Sequence, residues 1–247
     1  MSNSPLVTYT RISPNRNPRK GKIDTITIHC VAGQCSLETL GEIFAPTARQ
    51  ASSNYGIDPQ GNVGMYAEEK DRSWCTSSRA NDNRAVTIEV ASDSFPPYAV
   101  KDAAMEGLIK LVADICKRNG IKELKWRDDK NLIGRPDLQN MTIHKWFSNT
   151  ACPGEYLHSR HGYIAEEVNK LLAEEEEEDM TQERFNELMN GYLQQLAKQD
   201  PGAWSKDARE WAETEGLING DEKGNRMYRK FLTREEMAQV LYNMNGK

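Results

Sequence analysis

The sequence predicts a layered α/β domain built on a mixed central β-sheet, followed by a small all-helical unit. Three observations carry this. Runs rich in β-branched residues (IDTITIHCV at 23–31, AVTIEVAS at 85–92) alternate with amphipathic helical stretches. Hairpin and crossover signals occur together, so the sheet is expected to be mixed rather than purely parallel. The charge balance then changes at the acidic run Glu174–Asp179. Residues 1–173 hold 22 Lys and Arg against 20 Asp and Glu, whereas residues 174–247 hold 10 against 17.

The elements follow in order. Residues 23–31 read as a buried strand, and Ser36 as the N-cap of a helix over LETLGEIF. ASSNYGIDPQGNVGMYA (51–67) reads as a hairpin whose turn is Asp58-Pro59-Gln60-Gly61. Residues 85–92 form a second strand, and 101–119 an amphipathic helix stopped by Gly120 as C-cap. IKELKW (121–126) reads as a further short strand, and 155–173 as a long helix with Tyr156, Ile164, Val168 and Leu171 on its apolar face. The acidic run reads as a solvated linker over 174–180 or a frayed helix end, because like charges repel. Helices are expected at 181–199, 205–216 and 233–244, with Ser205 capping the second and a Thr233/Glu236 capping box opening the third. Residues 216–225 read as a turn-rich loop.

Composition excludes several classes. The 247 residues are 38% hydrophobic and 28% charged, which is globular rather than disordered. No stretch approaches the ~20 apolar residues of a membrane span. The polar, basic first 22 residues lack the apolar core of a secretory signal, so a cytoplasmic product is expected. With a net charge of −5 and no cationic stripe interleaved with aromatics, nucleic acid is not an expected partner. Five scattered cysteines (30, 35, 75, 116 and 152) do not form a disulfide framework and read as thiols.

Only four histidines occur, so their placement is informative. His29 lies inside the first strand, and His144 stands eight residues before Cys152 in TACPG. Two imidazoles and a thiolate suit Zn²⁺, whose catalytic sites pair three protein ligands with an open position. The alternative is a hydrogen-bonded core histidine and a buried thiol ahead of a turn.

The segments TITIHC, SSNYGIDPQGNV, AVTIEV and IHKWFSNTACPGEYL, in that order, resemble the zinc-dependent N-acetylmuramoyl-L-alanine amidases of the type-2 family, whose fold includes the peptidoglycan recognition proteins and many phage endolysins. The likeness covers residues 5–172. It implies His29, His144 and Cys152 as zinc ligands, and peptidoglycan as the partner cut between N-acetylmuramic acid and L-alanine. It also implies Glu89 as general base, Tyr55 as a phenol near the metal, and Thr150 as a neutral hydrogen-bonding group where other members carry lysine. Asn54 departs from the family's usual histidine, and Trp74-Cys75-Thr76-Ser77 from its Trp-His-Ala-Gly. His158 and His161 read as surface residues. The rival function is a peptidoglycan receptor without catalysis, which the presence of Cys152 disfavours.

The segment WAETEGLINGDEKGNRMYRKFLTREEMAQVLYNM resembles part of one S-layer homology motif. That implies a wall-polymer partner for 181–247, with self-association as a homodimer the alternative. The resulting expectation is a zinc amidase domain over 1–173 in a phage or prophage endolysin, synthesised in the cytoplasm and acting on the wall after release.

Overall fold

The computed structural model describes residues 2–178, 182–218 and 224–245. The chain divides into one unit ending at Glu177 and another beginning at Glu178. In the first, eight strands lie in two sheets: β1 (Val7–Thr10), β2 (Arg16–Pro18), β3 (Thr25–Cys30), β4 (Tyr55–Ile57), β5 (Val63–Met65), β6 (Asp71–Ser73), β7 (Ala85–Val90) and β8 (Met141–Thr142). The main sheet runs β1-β5-β4-β7-β3-β8, and β2 pairs with β6 separately. Only β4 and β5 are antiparallel in the main sheet, so it is mixed as expected.

Period-two alternation sorts the central strands into two faces. Ile26, Ile28, Val86, Ile88 and Val90 join one apolar core with helices α3 (Asp102–Asn119) and α4 (Gly154–Glu178). Each fully buried aliphatic side chain there contributes about 1.5–3 kcal/mol. The intervening residues form a buried polar row. The hydroxyls of Thr27 and Thr142 meet at 2.7 Å, and Asn81 of the short helix α2 (Arg79–Arg84) bonds both. Ser73 and Thr87 meet at 2.7 Å in the same way. His29 and Glu89 continue this row, each two residues beyond a buried threonine.

Helix α1 (Leu37–Phe44) is capped by Ser36, which accepts from the Thr39 amide, and packs Leu40 and Phe44 on Tyr66. The hairpin turn is locked by Asp58, whose Oδ1 accepts from the Gln60 and Asn62 amides at 2.9 Å. Gly61 sits at φ +86° there, and a Cβ on it would lie 2.3 Å from the Ala103 carbonyl of α3. Gly107 faces it at equally short range, so turn and helix meet backbone to backbone.

Three expectations are corrected. Residues 121–126 form no strand: Asn169, Asn140 and Gln139 side chains accept from the Leu124, Lys125 and Arg127 amides, taking the place of a ladder. The two-residue strand β8 takes the sheet edge. At its start the acidic run is the end of a helix rather than a linker, the second of the two readings, because α4 runs through Glu178; glutamate is a good helix former. Residues 179–180 lie outside the described residues. Finally, Ser205 flanks its helix without capping it and donates to the Gly202 carbonyl.

The second unit contains α5 (Gln182–Ala197), α6 (Lys206–Thr214) and α7 (Arg234–Asn245). The capping box is reciprocal: Thr233 N donates to Glu236 Oε2 at 2.8 Å and Glu236 N to Thr233 Oγ1 at 3.1 Å. Part of the expected 216–225 loop, 219–223, lies outside the described residues. Leu188, Tyr192, Trp211, Phe231, Met237 and Leu241 are all exposed, and Ala212 is the one buried apolar residue among those described.

Candidate metal centre

The centre forms where β3 and β7 end. Parallel strands deliver their last residues to one edge, and His29 pairs in register with Glu89. His144 begins a 3₁₀ turn just after β8, which adjoins β3 on its other side. The Lys145 amide donates to the Cys152 carbonyl at 3.1 Å, fastening the cysteine loop to the histidine turn. Thr150 Oγ1 accepts from the Cys152 amide at 3.2 Å. Three distant sequence positions are thereby brought to one point.

His29, His144 and Cys152 offer ligand atoms all within 4.8 Å of one another. Two bonds of ~2.0–2.3 Å from one ion bridge comparable distances. Cys152 Sγ lies 3.3 Å from His29 Nδ1, and the two imidazoles meet edge-on with centroids 5.0 Å apart. Burial holds the His29 pKa well below its usual value, with His144 and His161 adding to the effect. Burial also lowers that of His144. Both rings are therefore neutral, the form that ligates metals. Nε2 of each is buried without a hydrogen-bond partner, which costs stability unless something accepts the lone pair. The donor set fits a soft divalent cation.

Glu89 lies beside this cluster. Burial raises its carboxyl to about 8, reinforced by Cys30 and opposed by a bond from Cys75 and by Arg49. Cys75 Sγ stands 3.8 Å from Glu89 Oε1, while Oε2 is buried and unpartnered. His29, Cys75 and Glu89 form a second close group of potential ligand atoms.

The structure does not bring Tyr55 into this site. Its ring belongs to the apolar core, and its hydroxyl donates to Glu69 Oε1 at 2.7 Å and accepts from the Ser4 amide at 3.0 Å. Glu69, wholly buried, is further held by Arg118 at 2.6 Å and Asn119 at 2.9 Å. The tyrosine alternates away from the polar row and serves a buried ion pair. Asn54 is likewise buried and committed, donating to the Ala67, Glu68 and Asp71 carbonyls.

His161 is not a surface residue. It is fully buried on α4, its Nδ1 donates to the Leu157 carbonyl at 2.7 Å, and burial lowers its pKa to about 4. Its ring packs on Trp126, which stacks on Trp146. His158 accepts from Lys145 at 2.7 Å and donates to Asp128 at 2.8 Å. Sequence reasoning also missed Arg19. It reaches the carbonyls of Glu69, Asp71, Asp82 and Ala85, and burial lowers its pKa to about 10. Its place in a basic N-terminal run concealed that role.

The profile of a family described as N-acetylmuramoyl-L-alanine amidase matches residues 19–155. Comparison with curated proteins gives no match. Among solved structures, the chain is similar to a mutant endolysin from Bacillus subtilis (14% identity, TM-score 0.49, covering 65% of this chain and 97% of that one). It is also similar to an AmpD derivative (15%, 0.48, 67% and 99%). A third is the endolysin N-acetylmuramoyl-L-alanine amidase from Clostridium intestinale (14%, 0.41, 64% and 96%).

Proposed function

Because the chain belongs to the N-acetylmuramoyl-L-alanine amidase family, we propose that it is a zinc hydrolase cutting the amide between N-acetylmuramic acid and L-alanine in peptidoglycan. The observation that carries this reading is the convergence of two neutral imidazoles and a thiol beside a buried carboxylate. His29, His144 and Cys152 would hold the ion. Zinc bound there supplies a Lewis acid for the scissile carbonyl.

Glu89 is the base in this reading. Burial makes its carboxyl a stronger proton acceptor than an exposed glutamate, which suits a group that takes up a proton and returns it. It takes a proton from the attacking water and passes one to the departing L-alanine nitrogen. The products are the lactyl carboxylate of the sugar and a free amino terminus. Thr150 fixes the Cys152 loop through its hydroxyl and, lacking charge, stabilises the oxyanion less than a lysine would. Mass spectrometry of digested peptidoglycan tests the proposal: new L-alanine amino termini support it, and new reducing sugar ends overturn it.

We further propose that the second unit engages the wall, in an endolysin that acts after release from the cytoplasm. Within that unit a cavity of about 790 Å³ is lined by Gln194, Lys198, Arg226 and Tyr228 among others. Tyr228 Oη is buried there without a partner. Amides, an aromatic ring and aliphatic walls that include Leu193 and Met227 together suit a saccharide.

A further inference from the structure

The loop that follows β6 is held in an unusual way. Asp82, 1% exposed on α2, accepts from the Cys75 amide at 3.1 Å, the Thr76 amide at 3.2 Å and the Thr76 hydroxyl at 2.5 Å. Ser77 follows at φ +64°, a left-handed conformation that a serine adopts only when its surroundings impose it. One buried carboxylate thus fixes the backbone on which Cys75 is mounted. From that mount the thiol reaches Glu89 Oε1 at 3.8 Å, while Glu89 Oε2 remains unpartnered. Burial, together with Glu89 and Asp82, raises the Cys75 pKa, so the sulfur is a donor rather than a competing anion.

We propose that Cys75 is a positioning residue for Glu89: its S–H holds Oε1, leaving Oε2 as the oxygen that exchanges protons with the substrate. This inference rests on the amidase reading for its catalytic consequence. A carboxylate at a strand end turns about its last side-chain torsion, which is a broad and soft coordinate. Tethering one oxygen removes that freedom in advance, and advance ordering is what a proton-transfer group requires.

Two measurements on the full-length protein test it. In kinetics on soluble muropeptides, Cys75→Ala should lower kcat about tenfold with KM, zinc content and thermal midpoint unchanged. Cys75→Ser, which restores a donor, should recover most of that loss. In the metal-free protein held above pH 8, where Glu89 is ionised and Cys75 is still a thiol, an infrared difference spectrum between wild type and Cys75→Ala isolates the Cys75 S–H stretch. Glu89→Gln should move that band to higher frequency, because a neutral amide accepts more weakly than a carboxylate. Wild-type kcat in Cys75→Ala, equal loss in the Ser and Ala variants, loss of zinc from Cys75→Ala, or an unmoved S–H band would each overturn the proposal. Failure of the wild type to release L-alanine amino termini would instead remove the amidase reading, while the S–H band still decides the Cys75–Glu89 contact.

Discussion

His29 and Glu89 are register partners across the parallel β3–β7 ladder, each at the end of a polar row on an otherwise apolar sheet. A proposed metal ligand and a proposed base are thus fixed by backbone hydrogen bonds rather than by loops. Their relative placement has the rigidity of the sheet itself.

The metal assignment predicts one zinc per chain. His29→Ala and Cys152→Ser should each lose most of it, as measured by elemental analysis. Chelation should abolish muropeptide hydrolysis, and added Zn²⁺ should restore it. Full occupancy in both variants would dissolve the assignment.

Glu89→Gln keeps the side-chain shape while removing the proton acceptor. It should retain zinc and lose turnover by ~10²–10⁴-fold. Wild-type turnover in this variant would place the base elsewhere.

Tyr55→Phe should act on stability and leave catalysis alone. It deprives buried Glu69 and the Ser4 amide of a partner, at a cost of about 1–3 kcal/mol in urea unfolding. An unchanged midpoint with a fallen kcat would return the tyrosine to the reaction.

His161 predicts a pH dependence. Its folded pKa of about 4 lies below the ordinary 6.5, so the unfolded chain takes up a proton first as pH falls. The stability it confers is complete above pH 6.5 and is lost progressively toward pH 4. Between pH 6.5 and 5 the loss is about 2 kcal/mol. Denaturation of His161→Phe at both pH values should show a correspondingly shallower decline, the remainder coming partly from His29. An identical decline would show that His161 is not buried neutral.

Truncation after Glu177 should spare soluble-substrate hydrolysis, since every residue of the proposed site lies before it. If the second unit targets the wall, binding to intact walls should fall. If its exposed Leu188, Trp211 and Phe231 mediate dimerisation, light scattering should instead show a smaller assembly, and wall binding should fall only through lost avidity. Unchanged binding and unchanged mass would exclude both roles.

The sequence by itself determined the local elements. Alternation at 25–30 and 85–90, Ser36 and Gly120 at helix ends, and the Asp58–Gly61 turn are short-range preferences of single residues and their neighbours, and they survive folding intact. The ordered motifs also singled out His29, His144, Cys152 and Glu89 as a set, and these four lie together at one edge of the sheet. Tertiary structure alone decided the rest. Tyr55 sits next to Asn54 in a motif, yet strand alternation and the buried Glu69–Arg118 pair turn its hydroxyl into the core. Residues 121–126 carry strand composition, but the Leu124 and Lys125 amides meet side-chain amides from residues 169 and 140 in place of a strand partner. Cys75 acquires its carboxylate partner only because Asp82, seven residues on, folds back to hold its loop. Hydrogen-bond partners of buried polar groups are chosen by three-dimensional proximity, and spacing along the chain does not encode that proximity.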